Sequence, residues 1–85
     1  MQSLGKRCEL ILSALNEMYI FKRSCSDITI EYNILWGSFE ITFVTPKGKI
    51  IVKHLDDSFY NDKIKVVVDA IRRRFIQAYG NGFFY

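Results

Sequence analysis

Apolar side chains recur along this chain at two periods, and the switch between them divides it into three parts. Leu4, Cys8, Ile11, Leu12, Leu15, Met18 and Tyr19 step by three and four, while Lys6, Glu9, Ser13, Asn16 and Glu17 fall off that stripe. The spacing is that of an amphipathic helix, predicted from about residue 3 to 20. Lys22 and Arg23 then suit a helix C-terminus, and Ser24-Cys25-Ser26-Asp27 suits a loop. From Ile28 the period becomes two. Ile28, Ile30, Tyr32 and Ile34 alternate with Thr29, Glu31 and Asn33, and Phe39, Ile41 and Phe43 alternate with Glu40 and Thr42. Both runs read as half-buried strands, with a turn at Trp36-Gly37-Ser38 between them. Thr45-Pro46-Lys47-Gly48 separates the second strand from a third, Lys49-Ile50-Ile51-Val52-Lys53, as an antiparallel hairpin.

The hairpin has two registers. If Thr45 pairs with Gly48, then Phe43 opposes Ile50, Ile41 opposes Val52, Phe39 opposes His54 and Glu40 opposes Lys53. A bulge at Gly48 slips the pairing by one and exchanges the faces of the third strand. The first register is preferred because it keeps Lys49 and Lys53 out of the core. It leaves Val44 and Ile51 on the outer face, aliphatic surface that another chain can cover. Helical spacing returns at Tyr60, Ile64, Val67, Val68, Ile71, Phe75, Ala78 and Tyr79. Asp56-Asp57-Ser58 offers caps for this second helix, and Gly80 stands where a left-handed terminator belongs. The predicted fold is α+β, in the order α-β-β-β-α. A three-stranded antiparallel meander carries two helices packed on one face, as a single domain over 1–85.

Composition changes this picture little. The 85 residues are 49% hydrophobic and 25% charged, ordinary values for a globular domain. The net charge of +3 is compatible with nucleic acid or an acidic partner but is modest for a dedicated electrostatic binder. Cys8 and Cys25 are the only cysteines. A secreted domain of this size usually carries more, and Cys8 lies on the apolar helix stripe, so reduced thiols are expected. No apolar run approaches the roughly 18 residues of a membrane span. Lys6-Arg7 before Leu10-Ile11-Leu12 has the start of a signal peptide, but Glu9 interrupts the apolar part and no small-x-small site follows. A cytoplasmic protein with no membrane contact is expected.

The candidate chemistry is sparse. His54 is the single histidine. It reads either as a base served by Asp56, Asp57 or Ser58, or as a half-buried strand residue beside a capping cluster. Asp56, Asp57 and Asp62 read as a helix N-terminus rather than a cation site, because the alternating ligands and glycine of an EF-hand are missing. No cofactor, metal set or catalytic motif is expected. Arg72-Arg73-Arg74 is the densest charge run. Consecutive helical residues point about 100° apart, so the three fan out, and Asp69 is placed to pair with Arg72 or Arg73. They read either as a solvated helix end or, with Lys22 and Arg23, as an anion-binding patch. Phe83, Phe84 and Tyr85 close the chain after Gly80 and Gly82. They fold back on the core or bury against a partner.

The α-β-β-β-α order resembles that of double-stranded-RNA-binding domains and of the small HicA-type toxins that cleave messenger RNA. Gly37-Ser38, Pro46-x-Gly48 and Val52-x-His54 are similar to that toxin's strand pair. There a catalytic His follows the Gly-Ser; here Phe39 stands at that position, so the likeness implies the fold and not the activity. The basic cluster at the start of the second helix in the RNA-binding domains is replaced by Asn61-Asp62-Lys63. The expectation for function is therefore a small non-enzymatic regulatory or inhibitory module that binds protein, a homodimer being one form of it. The alternative is a nucleic-acid-binding domain. The residues expected to make contact are Lys22, Arg23, Arg72, Arg73, Arg74, Phe83, Phe84 and Tyr85.

Overall fold

A computed structural model describes residues 4–81, so Phe83, Phe84 and Tyr85 lie outside the described residues. Two-residue periodicity produces three strands, β1 (Asp27–Asn33), β2 (Ser38–Thr45) and β3 (Gly48–Leu55), in the antiparallel order β1-β2-β3. The β2–β3 register is the one that keeps the lysines outside: Thr45 pairs with Gly48, Phe43 with Ile50, Ile41 with Val52 and Phe39 with His54. On β1, Ile28 faces Phe43 and Ile30 faces Ile41. Phe39, Ile41, Phe43, Ile50 and Val52 are buried together under the helices, while Lys49, Ile51 and Lys53 remain outside.

Each expected helix is broken, and the breaks bring phenylalanines into the core. The first stripe divides into α1 (Leu4–Glu17) and α2 (Tyr19–Ser24) at Met18, whose φ of -74° and ψ of 132° are extended. In an unbroken helix Phe21 would lie well off the stripe, which would instead bury Tyr19. The break turns Phe21 inward, where it stacks on Phe43 at 4.8 Å and meets Phe75 edge-on at 5.0 Å. Tyr19 is exposed instead. Lys22 and Arg23 lie in the last turn of α2, the helix C-terminus that their charge suits.

The second helix divides in the same way, into α3 (Asp56–Asn61) and α4 (Ile64–Asn81), with Asp62 extended between them. Continuous winding would bury Tyr60. The break exposes Tyr60 and buries Phe59, which stacks on Phe39 at 3.9 Å. Arg7 holds the junction by donating to the carbonyls of Phe59 and Asp62. The acidic cluster lies in the first turn of α3 rather than at a cap, since Leu55 occupies the cap position without a side-chain bond. Gly80 does not stop the second helix either, because α4 continues through it to Asn81. Glycine permits a left-handed residue but does not impose one.

Among the described residues five phenylalanines, Phe21, Phe39, Phe43, Phe59 and Phe75, are fully buried. Each buried ring contributes about 1.5–3 kcal/mol, and the buried Ile, Leu and Val side chains packed with them contribute on the same scale. The thiols of Cys8 and Cys25 are free. Burial raises the pKa of both, that of Cys25 to about 11, so neither is a ready nucleophile at neutral pH.

Candidate interaction site

The turn between β1 and β2 is built to hold apolar side chains in water. Asn33 ends β1, and its Oδ1 accepts hydrogen bonds from the backbone N–H of Leu35 at 3.1 Å and of Trp36 at 3.3 Å. Its Nδ2 donates to Glu40 Oε2 at 3.0 Å, which fixes the side chain. Gly37, at φ +59°, turns the chain back into β2, a conformation glycine adopts without steric cost. Ile34 is therefore in the turn and not in the strand where its alternation would place it. Ile34, Leu35 and Trp36 are 81%, 88% and 72% exposed, and Leu55, opposite Ser38 in the ladder, is 68% exposed.

Cations border this tip. The ammonium of Lys53 lies over the Trp36 ring, 6.0 Å from its centroid. Arg74 reaches across the edge of β3, where Nη1 donates to the Lys53 carbonyl at 2.6 Å and lies 3.3 Å from His54 Nδ1. Trp36, Ser38, Lys53, Leu55 and Arg74 line a cleft of about 280 Å³. Ser38 Oγ and His54 Nε2 are buried with no hydrogen-bond partner among the described residues. His54 is only 5% exposed. Burial lowers its pKa first and the Arg74 charge lowers it further, with Asp62 opposing, so the ring is held neutral. A cation, not a carboxylate, stands at its Nδ1, an arrangement that does not orient or activate a general base.

The basic residues singled out in the sequence are not gathered into one patch. Arg72 Nη2 and Arg73 Nε donate to the Asp69 carboxylate at 2.8 and 2.9 Å. The two guanidiniums hold that carboxyl below its ordinary range. Arg74 turns its Nη1 to β3 while the residue stays exposed. Lys22 precedes Arg23 in the last turn of α2, and Arg23 lies towards the opposite end of the β2–β3 hairpin, where it shares clefts with Pro46 beside the turn. There Arg23 lies over the Tyr19 ring at 5.5 Å and Lys47 over Tyr79 at 5.2 Å. Tyr19, Arg23, Ser24, Pro46 and Tyr79 line a groove of about 450 Å³ between them. Asp57 bonds Asn61, and no group of three or more metal-ligating side chains occurs among the described residues. No described helix is long and apolar enough to cross a membrane.

Alternation places Ile34 in the strand and the turn at Trp36-Gly37-Ser38, and so does not reveal the tip. The signal lay in the bracket from Asn33 to Gly37. Asn and Gly there supply the turn chemistry, yet all three intervening residues are large and apolar. Comparison with family models, curated proteins and solved structures finds no match for this chain.

Proposed function

We propose that this domain is a non-enzymatic interaction module, a small regulator or inhibitor that binds a protein partner through the Ile34-Leu35-Trp36 tip. The observation that carries the reading is the exposure of three consecutive large apolar side chains on a turn ordered by Asn33 and Gly37. Isolated exposed apolar residues are ordinary, but a contiguous group is characteristic of contact surfaces. Trp and Arg, present here as Trp36 and Arg74 on one cleft, are enriched at interface centres, and a turn held by side-chain hydrogen bonds loses little entropy on docking. The partner is a protein with an apolar pocket rimmed by carboxylates, which would meet Lys53 and Arg74. Affinity capture from cells that make the chain tests this. A partner retained by wild type and by Lys47→Ala, and lost with Leu35→Ser/Trp36→Ser, is expected. Capture unaffected by the tip substitutions would overturn it.

A second reading, single-stranded nucleic acid, is favoured by the cation and aromatic pairs around the groove at the other end. Tyr19 and Tyr79 offer ring faces there, and Arg23 and Lys47 offer charge. Fluorescence anisotropy with labelled oligonucleotides tests it. This reading requires binding that weakens steeply with salt and is lost with Arg23→Gln/Lys47→Gln. No binding at low salt removes it.

A further inference from the structure

The outward face of α4 carries apolar and charged side chains whose spacing reads the same in both chain directions, with the charge sign inverted. Val67, Ile71 and Phe75 face the core and are buried. On the opposite side Val66, Asp69, Arg73 and Ile76 fall within about 80° of arc at 3.6 residues per turn. Val66 is 51% exposed and Ile76 41% exposed. Between them lies the Asp69–Arg73 ion pair, open to solvent. The stripe is symmetric about position 71: Val66 and Ile76 lie equally far from it, as do Asp69 and Arg73.

We infer that this chain forms a homodimer in which α4 packs antiparallel against α4 of a second copy, across a two-fold axis level with Ile71. In that arrangement Val66 lies opposite the partner's Ile76, and Asp69 opposite the partner's Arg73. The contact is isologous, so each apolar and each charged pair occurs twice. The four charges alternate in sign around the axis, and the two intrahelical pairs become a closed network. A parallel pairing would set Asp69 against Asp69 and Arg73 against Arg73, so the charges select the antiparallel one. The stripe also borders an open groove of about 790 Å³ between α1 and α4, whose lining includes Ala14, Met18, Ile64 and Val66. Ile76 lies on the α1 side of the stripe. Two-fold symmetry therefore carries the partner's Ile76 to the mouth of that groove, where a ridge fits between two helices.

This inference concerns a different surface from the tip and stands whether or not the tip binds a partner. Sedimentation velocity over a concentration series reaching the millimolar range tests it, with circular dichroism to verify that each variant is folded. Wild type is expected to dimerise. Asp69→Arg and Arg73→Asp should each weaken self-association by about tenfold or more, because each sets like charges across the axis. An equimolar mixture of the two variants should then form a heterodimer, since every cross-axis pair is again opposite in sign. Changes confined to one helix cannot produce that rescue. A wild type that stays monomeric throughout the series, single variants that associate as wild type does, or a mixture that stays monomeric would each overturn the inference.

Discussion

The two turns of the meander solve the same backbone problem and carry opposite loads. At one, Asn33 Oδ1 accepts from two backbone N–H groups and Gly37 takes a positive φ. At the other, Thr45 Oγ1 accepts from the N–H of Lys47 at 3.2 Å and donates to the Gly48 carbonyl at 2.7 Å, and Gly48 takes a φ of 137°. Each turn is thus a side-chain-bonded bend closed by a glycine. Pro46 and Lys47 fill the second with solvated groups, whereas Ile34, Leu35 and Trp36 fill the first with large apolar ones. Folding requires the polar bracket and the glycine; it does not require the apolar filling. The difference between the turns is therefore the part of the sequence that stability leaves unexplained, and it is the basis for assigning contact to the tip.

Both ends rest on aromatic stacks, and removing either should cost the most. Phe59→Ala, which undercuts Phe39 at the tip end, and Phe21→Ala, which undercuts Phe43 and Phe75 at the other, should each destabilise by about 3–5 kcal/mol in chemical denaturation. A much smaller loss for Phe59→Ala would show that the tip end is loosely supported. The next largest effect belongs to the glycines. Gly37→Val and Gly48→Val each force a branched residue to positive φ and should cost about 1–2 kcal/mol or more. Space does not limit the first, since a Cβ at Gly37 meets nothing within 4 Å. The cost there is conformational, and Gly37→Asn should recover much of it.

Acid should separate the two ends. His54 lies beneath the tip end, and its folded pKa is lowered by burial and by Arg74. Its contribution to stability is complete above the unfolded value of about 6.5 and is lost as pH falls from there towards the depressed folded value. As pH falls from about 7.5 to 5.5, amide protection, taken relative to the intrinsic exchange rate at each pH, should fall first around Phe39, His54 and Phe59, and His54→Gln should flatten that slope. An equal fall in protection beside Pro46 would contradict the asymmetry. The smallest effect on stability is expected at the tip itself. Leu35→Ser and Trp36→Ser should each change it by no more than about 0.5 kcal/mol, as should Lys47→Ala in the other turn. A larger loss at Trp36 would make the ring a structural element rather than a contact.

The sequence carried the sheet but not the helix breaks. Alternation at Phe39, Ile41 and Phe43, together with the need to keep Lys49 and Lys53 in water, was enough to select the register. The breaks at Met18 and Asp62 were hidden because a look-alike aromatic continued each stripe: Tyr19 stood in for Phe21, and Tyr60 for Phe59. Periodicity cannot distinguish them, since the choice depends on which ring fits against Phe43 or Phe39. The arginine triplet was partly legible. Asp69 stood at the spacing that pairs with Arg72 and Arg73, but the reach of Arg74 to the β3 edge depends on tertiary packing and leaves no trace in local spacing.

The assignment of contact to one turn and not the other is tested most directly by photo-crosslinking in cells that make the protein. A benzophenone amino acid is placed at position 36 in one variant and at position 47 in another. The tip account predicts a discrete crosslinked protein at 36 that is absent at 47 and is lost when Leu35→Ser is added. No adduct at 36, or the same adducts at both turns, would contradict it.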